Sequence, residues 1–512
     1  MKESFTQSMD WLHTWGGLLF GWILFAIFLT GTLTVFDKDI TYWMQPELHH
    51  LDSSPPDLDA AGRQLAHLAP EATQWWITLP STREPVASIG WQGNDERTSG
   101  ERKLDPATGK ILDVRETRGG DFFYRFHYSL HLDRAGIWIV GASAMVMLVA
   151  LISGLVIHHR IFKDFFSFRP RATSHRAWLD AHNLTSVLVL PFHLVITFTG
   201  LVIFWNVYMP VGIDLMYGGN FEKGFNELEE RLERESAQSP AALASLNDME
   251  RQAHTQWSGG STEWIQITHP GDRHALVNVS RRADDRLALI SDRVTFDGAT
   301  GERLQVWKGE LPAFTTYSVL IGLHYLWFDH DGIRWLYFGM SLAATVMIAT
   351  GLLLWIIKRR DRHAGHHIGY RIVESLNVAV VAGLMVATAV FFLANRLLPV
   401  ALSDRAGWEM GAFFLAWGLC ATHSFVRMHS RQAWQEQLYL SALLFVSIPL
   451  CNMATTHSHL LVTMSVGKWR LAAVDLTCLI AGLLLGWAAW RMKHGEQIEH
   501  PSTNSLTGSA QA

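Results

Sequence analysis

His13 and Gly31 stand 18 residues apart in one apolar stretch, and His182 and Gly200 repeat that spacing in another. Each stretch closes on a Thr-Gly pair. A second set repeats without a gap: His127-Tyr128, Trp138 and Gly154 match His324-Tyr325, Trp335 and Gly351. Histidines held at matched depths on neighbouring membrane helices are what axial ligation of a haem requires, provided the imidazoles are neutral. His13 with His182 would make one site, and His324 with His127 or His131 another near the opposite face. His131 lies one turn beyond His127 on the same helical face, so spacing leaves that choice open. Two imidazoles per iron give a closed, six-coordinate metal suited to electron transfer more than to oxygen binding. One such site would leave most of a bilayer core of roughly 30 Å uncrossed, whereas two make a wire.

Other histidines are weaker candidates. His193 lies 11 residues beyond His182, three turns along the same face and roughly 16 Å deeper. An ionisable residue inside a span is a functional candidate, and a hydrogen-bonded core histidine is the equal alternative. His158 and His159 cap the second span beside Arg160, where haem ligation competes with binding of lipid headgroups. Gly31 and Gly200 are expected either to let helices pack closely or to leave room for a porphyrin face. The three cysteines, Cys420, Cys451 and Cys478, fall in apolar stretches and read as small buried hydrophobes. No C-x-x-C-H occurs, so any haem would be b-type.

The elements that must carry these residues are membrane helices. Eight apolar stretches are long enough to cross a bilayer: about 14–36, 137–157, 183–206, 335–357, 373–394, 409–426, 437–454 and 471–490. Basic residues cluster after the second (Arg160, Lys163, Arg169, Arg171, Arg176), after the fourth (Lys358, Arg359, Arg360, Arg362) and at the end (Arg491, Lys493). The positive-inside tendency then makes both termini cytoplasmic and puts the polar segments 37–130 and 207–320 outside. Lys468 and Arg470 run against that pattern. A net charge of −5 gives no sign of nucleic-acid binding.

The two polar segments resemble each other. Leu104-Asp105-Pro106-Ala107-Thr108-Gly109-Lys110 near the end of one answers Phe296-Asp297-Gly298-Ala299-Thr300-Gly301-Glu302 near the end of the other. This is turn chemistry, since Asp bonds the turn backbone and Gly accepts positive φ. Residues 75–80 and 264–270 alternate as strands do. The charged run 225–240 predicts a helix with a solvated face. The expected organisation is a first transmembrane helix (1–36), a module (37–130), helices two and three (131–206), a second module (207–320), helix four (321–360) and a C-terminal extension with four helices (361–512). The fold class is a predominantly α-helical integral membrane protein, internally duplicated, with two small α+β extracytoplasmic modules.

Paired spans carrying a histidine, the Asp-Pro-x-Thr-Gly turn and the run Trp178-Leu-Asp180-Ala-His182-Asn183 resemble the PepSY-associated transmembrane protein family over roughly residues 1–360. That family includes di-haem ferric-siderophore reductases of the bacterial inner membrane. The resemblance implies two b-type haems, a ferric-siderophore substrate and PepSY-like modules in the periplasm. A nucleotide fingerprint of the GxGxxG kind is lacking in a βαβ context, so the electron donor would be a cytoplasmic reductase or a membrane quinol. The alternative reading is a membrane-anchored PepSY binding or inhibitory module that regulates a protease or envelope process without redox activity. Transport ranks last, because the repeated histidines sit near the faces rather than at the midplane.

Overall fold

The computed structural model describes residues 2–51, 55–93, 98–106, 108–157, 174–257, 259–309, 311–327, 329–363, 368–427 and 429–494. Among these, six helices are long and apolar enough to cross a membrane: Ser4–Thr34, Asp133–Ile157, Asp331–Arg360, Ile368–Leu397, Ser430–Thr455 and Trp469–His494. The protein is a multi-pass membrane protein whose apolar helix surfaces contact lipid. Two of the eight expected spans differ. The stretch 409–426 forms the helix Arg405–Val426, which lacks the sustained apolarity of the six. The stretch 183–206 is a broken pair, His175–Leu188 and Leu190–Ile203, bent by 65°. Val189 leaves the helical conformation at φ −116°, ψ 19°, and Pro191 follows at the start of the next helix. Proline has no N–H to continue the ladder, so the chain turns there. His193 is therefore not three turns along an unbroken face from His182.

His127 and His324 do not open the second and fourth spans. Each sits near the end of a preceding helix, Asp121–Ser129 and Pro312–Tyr325 respectively. Leu130 (φ 53°) and Leu326 (φ 52°) then cap those helices in the left-handed region, and the spans begin afresh at Asp133 and Asp331. These reversals fold both histidines back into the bundle. The first helix, Lys2–Thr34, packs against Asp133–Ile157 and Asp331–His363, which in turn packs against Ser174–Leu188.

Outside the bundle the two modules share one antiparallel sheet of seven strands in the order β3-β2-β1-β4-β5-β6-β7. The first supplies β1 (Gln74–Thr78), β2 (Ala87–Gln92) and β3 (Gly100–Leu104); the second supplies β4 (Thr262–Thr268), β5 (Leu276–Arg281), β6 (Arg293–Asp297) and β7 (Arg303–Trp307). The seam is the β1–β4 pair, with Ile77 opposite Ile265. Alternation puts Trp75, Ile77, Ile89, Ile265, Ile267, Val279 and Phe296 on one face, covered by the helices Leu58–Leu68 and Leu246–His254. One carboxylate ties those helices together. Asp59, in the first turn of one, accepts from Ser245 Oγ at 2.9 Å and from the Leu246 amide at 2.6 Å, satisfying N-terminal donors of the other.

The turn motifs form as expected, with Gly109 at φ 66° and Gly301 at φ 76°, and Asp297 accepting from the Ala299 and Thr300 amides. The charged run 225–240 is a correction. Its helix, Phe221–Leu228, ends early. The chain then extends along the sheet, where Arg234 pairs with Asp297 at 2.7 Å and Glu230 O accepts from Gln305. These cross-sheet partners outweigh the weak helical preference of a short solvated segment.

The C-terminal helices dock on this core through buried polar groups. Within the membrane, Trp22 Nε1 donates to Asn377 Oδ1 at 2.8 Å, and Asn377 Nδ2 donates to Leu352 O. At the sheet end, fully buried Arg405 and Glu409 pair, and Glu409 also accepts from Asn395 Nδ2 at 2.8 Å and Thr117 Oγ1 at 2.6 Å. Arg396 lies over the Trp43 ring at 3.7 Å and donates to Asn452 Oδ1, whose amide reaches Asp475. Lys468 and Arg470 lie at this same end, donating to His49 O and to Asp329 and Asp331.

Two outcomes follow. Replacing Asp59 with Ala removes the shared cap and should cost about 1–2 kcal/mol, seen as faster amide exchange at Leu246 and Asn247. Replacing Glu409 with Ala strands buried Arg405 and should cost roughly 3–5 kcal/mol, measured as a lowered unfolding temperature in lipid or detergent.

Candidate functional site: two histidine pairs

Four histidines converge as two pairs. The His13 and His182 ring centroids are 6.3 Å apart with planes at 76°, and those of His127 and His324 are 6.1 Å apart at 32°. Three of the rings are held in the same way. His13 Nδ1 lies 2.9 Å from Ala150 O, His182 Nδ1 2.9 Å from Met347 O, and His127 Nδ1 2.8 Å from Ile27 O. His324 differs: its Nδ1 lies 3.0 Å from Thr199 Oγ1, whose own proton goes to the Val195 carbonyl, so the hydroxyl accepts from the ring. A carbonyl only accepts, so these bonds put the proton on Nδ1 and leave Nε2 as the basic nitrogen.

The glycines explain how a helical carbonyl becomes available. Ala150, Met347, Ile27 and Ile196 stand four residues before Gly154, Gly351, Gly31 and Gly200. In a helix, Cβ tilts toward the N-terminus, and a side chain covers the turn before its own Cα. Glycine uncovers that carbonyl and opens space for a ring. A Cβ built on Gly31 would stand 2.7 Å from His127 Nδ1. On Gly154, Gly200 and Gly351 it would stand 3.1, 3.0 and 3.2 Å from Cε1 of His13, His324 and His182. The expected role of Gly31 and Gly200 is thus sharpened: each seats a histidine of a neighbouring helix. The exchange is reciprocal within each repeat and the pairing runs between repeats.

Each pair opens on a cavity. The His13/His182 cavity is about 340 Å³ and is lined by Gly17, Gly21, His175, Lys358 and Arg359 among others. The His127/His324 cavity is about 140 Å³ and is lined by Tyr124, Tyr128, Tyr208, Tyr325 and Tyr337. Tyr124 and Tyr325 join hydroxyls at 2.9 Å. Leu24 and Met147 line both cavities, which therefore lie back to back.

The remaining candidates lie elsewhere. His131, at φ 54°, stacks on Phe122 at 4.8 Å, bonds Phe122 O through Nε2 and faces Phe414 of the C-terminal helices. It is not brought to His324. His193 is fully buried beside Phe28 and belongs to neither ring pair. His158 and His159 lie outside the described residues. Sequence reasoning did not single out the tyrosines or the cavity role of Lys358 and Arg359. The latter signal was present as two cations just beyond the fourth apolar stretch, read there as topology.

The geometry suits a metal that brings most of its own ligands. Among the described residues no three His, Cys, Asp or Glu side chains gather as a metal-binding group. A pair of imidazoles supplies only two ligands. Two metal–nitrogen bonds of about 2 Å, with the two ring halves, would set centroids roughly 6 Å apart. The observed separations match a metal between the rings, and the carbonyl-anchored Nδ1 atoms are the outer contacts that fix such ligands. The residues present fit a haem at each pair.

A protein of Pseudomonas aeruginosa described as uncharacterized is 25% identical over 386 residues, covering 72% of this chain and 94% of the relative. The family profile described as the PepSY-associated TM region matches residues 11–358, which contain both repeats, both histidine pairs and the whole sheet, so the chain belongs to the PepSY-associated transmembrane family.

Proposed function

We propose that the protein transfers electrons across the cytoplasmic membrane through two b-type haems and reduces ferric-siderophore iron on the far side. The observation that carries this reading is the pair of imidazoles with centroids 6.1–6.3 Å apart at each of two back-to-back cavities. His13 with His182 would hold one haem, and His127 with His324 the other. A haem iron between two imidazoles supplies reversible one-electron chemistry without an open coordination position. The chain's own residues bind and orient. Three carbonyl bonds and the Thr199 hydroxyl hold the imidazoles by Nδ1, and the glycines set the depth of each ring. Lys358 and Arg359 give the His13/His182 cavity a cationic rim suited to carboxylate groups. The tyrosines give the other cavity a neutral rim, with Tyr208 and Tyr337 donating to the Ile137 and Leu323 carbonyls. With the basic loops cytoplasmic, the His13/His182 end would face the donor, a reductase or a quinol, and the His127/His324 end the periplasm. The siderophore assignment rests on the family resemblance, and iron released as Fe²⁺ is held weakly by a chelator built for Fe³⁺.

The purified protein should contain about two b-type haems per chain, measured by reduced-minus-oxidised spectra and a pyridine assay. An absence of haem in protein from cells able to supply it would move the regulatory binding module to the front. His324→Ala and His182→Ala should each lose one haem and leave the other's spectrum unchanged. Gly31→Ala, whose new Cβ crowds His127, should lower haem content toward one per chain. Gly212→Ala, where a Cβ meets open space, should not.

A further inference from the structure

His193 is fully buried, and neither ring nitrogen has a hydrogen-bond partner. One turn along the same helix, buried Thr197 has an unpartnered hydroxyl as well. That is unusual for this bundle. Thr30, Thr34, Thr199 and Thr345 each bond the carbonyl four residues back, the ordinary resting place of a membrane threonine. For Thr197 that carbonyl belongs to His193, and the hydroxyl does not use it. The surroundings are apolar: Phe28 lies edge-on at 6.4 Å and Phe192 at 6.4 Å. Burying polar atoms without partners costs on the order of 1–3 kcal/mol each, so a partner absent from the chain itself is called for.

Thr197 lines the 140 Å³ cavity of the His127/His324 pair, and Phe28 of that lining packs on His193, which is not itself in the lining; one water needs only about 10–15 Å³ and two to four polar partners. We infer that His193 and Thr197 bind a water molecule at mid-bundle, beside the partition between the two histidine pairs. Its ligand class is a small neutral molecule that both donates and accepts. The imidazole supplies one N–H and one lone pair, and the hydroxyl supplies either role. The site places a reorientable dipole in a region walled by Leu24, Phe28 and Met147, where low dielectric magnifies its effect.

Water-edited ¹⁵N spectra of histidine-labelled protein in bilayers test it, with the His193 signal assigned by its loss in His193→Leu. Magnetisation should pass rapidly from water to His193, persist in Thr197→Ser and disappear in Thr197→Val. In a thermal-unfolding cycle, His193→Leu and Thr197→Val should each lower the midpoint, and the double variant should lose less than their sum. No transfer from water, or single substitutions that raise the midpoint and add, would overturn the site as a dry pair of orphans. A changed haem-ligand spectrum in His193→Leu would overturn it in favour of iron ligation.

Discussion

A helical carbonyl uncovered by glycine is the contact on which the arrangement depends. An imidazole inside a membrane needs a partner for its N–H, because unsatisfied polar groups are costly there and helices consume their own carbonyls. The second lone pair of a carbonyl can serve if no side chain shields it. Placing glycine four residues on provides that at Ala150, Met347 and Ile27. The same substitution of hydrogen for a side chain lets the ring approach the helix. Glycine seats all four imidazoles, and the uncovered carbonyl fixes the tautomer of three; for His324 the Thr199 hydroxyl takes that part.

The remainder of the fold keeps those helices in register. Within each repeat, the histidine of the first span meets the glycine of the second, and the histidine of the short helix before the second span meets the remaining glycine. Between repeats, the sheet closes at the β1–β4 seam and the Asp59 cap joins the covering helices. Both modules therefore act as one rigid clasp across the ends of the repeats. The C-terminal helices add a flank, docked by Asn377 in the membrane and by Arg396, Arg405, Glu409 and Asp475 at the sheet end. Buried charges of this kind are costly unless fully partnered, which makes the docking specific rather than merely adhesive.

The asymmetry of the two cavities is a second consequence of position. Lys358 and Arg359 reach the His13/His182 cavity from the end of a span, where long cations can bury their stems and keep their charges near water. The opposite cavity is ringed by tyrosines, whose hydroxyls find carbonyls or one another. One end is thus cationic and the other neutral and hydrogen-bonding, within a repeat that is otherwise symmetric.

The duplication, the membrane class, the turn motifs and the matched spacing of His13, His182, His324 and the glycines were all legible in the sequence. These features live in apolar run length, local turn chemistry and exact repetition, which need no knowledge of neighbours. The choice between His127 and His131 was not legible. Left-handed turns at Leu130 and His131 send one ring into the bundle and the other onto Phe122. The fused sheet, the bend at Val189, the short helix before Glu229 and the buried C-terminal network were equally hidden. Which glycine serves which histidine also depended on packing between distant segments. Sequence set the period of the histidines and glycines; only the tertiary structure decided which carbonyl, ring and glycine meet, because each of those contacts joins helices far apart in the chain.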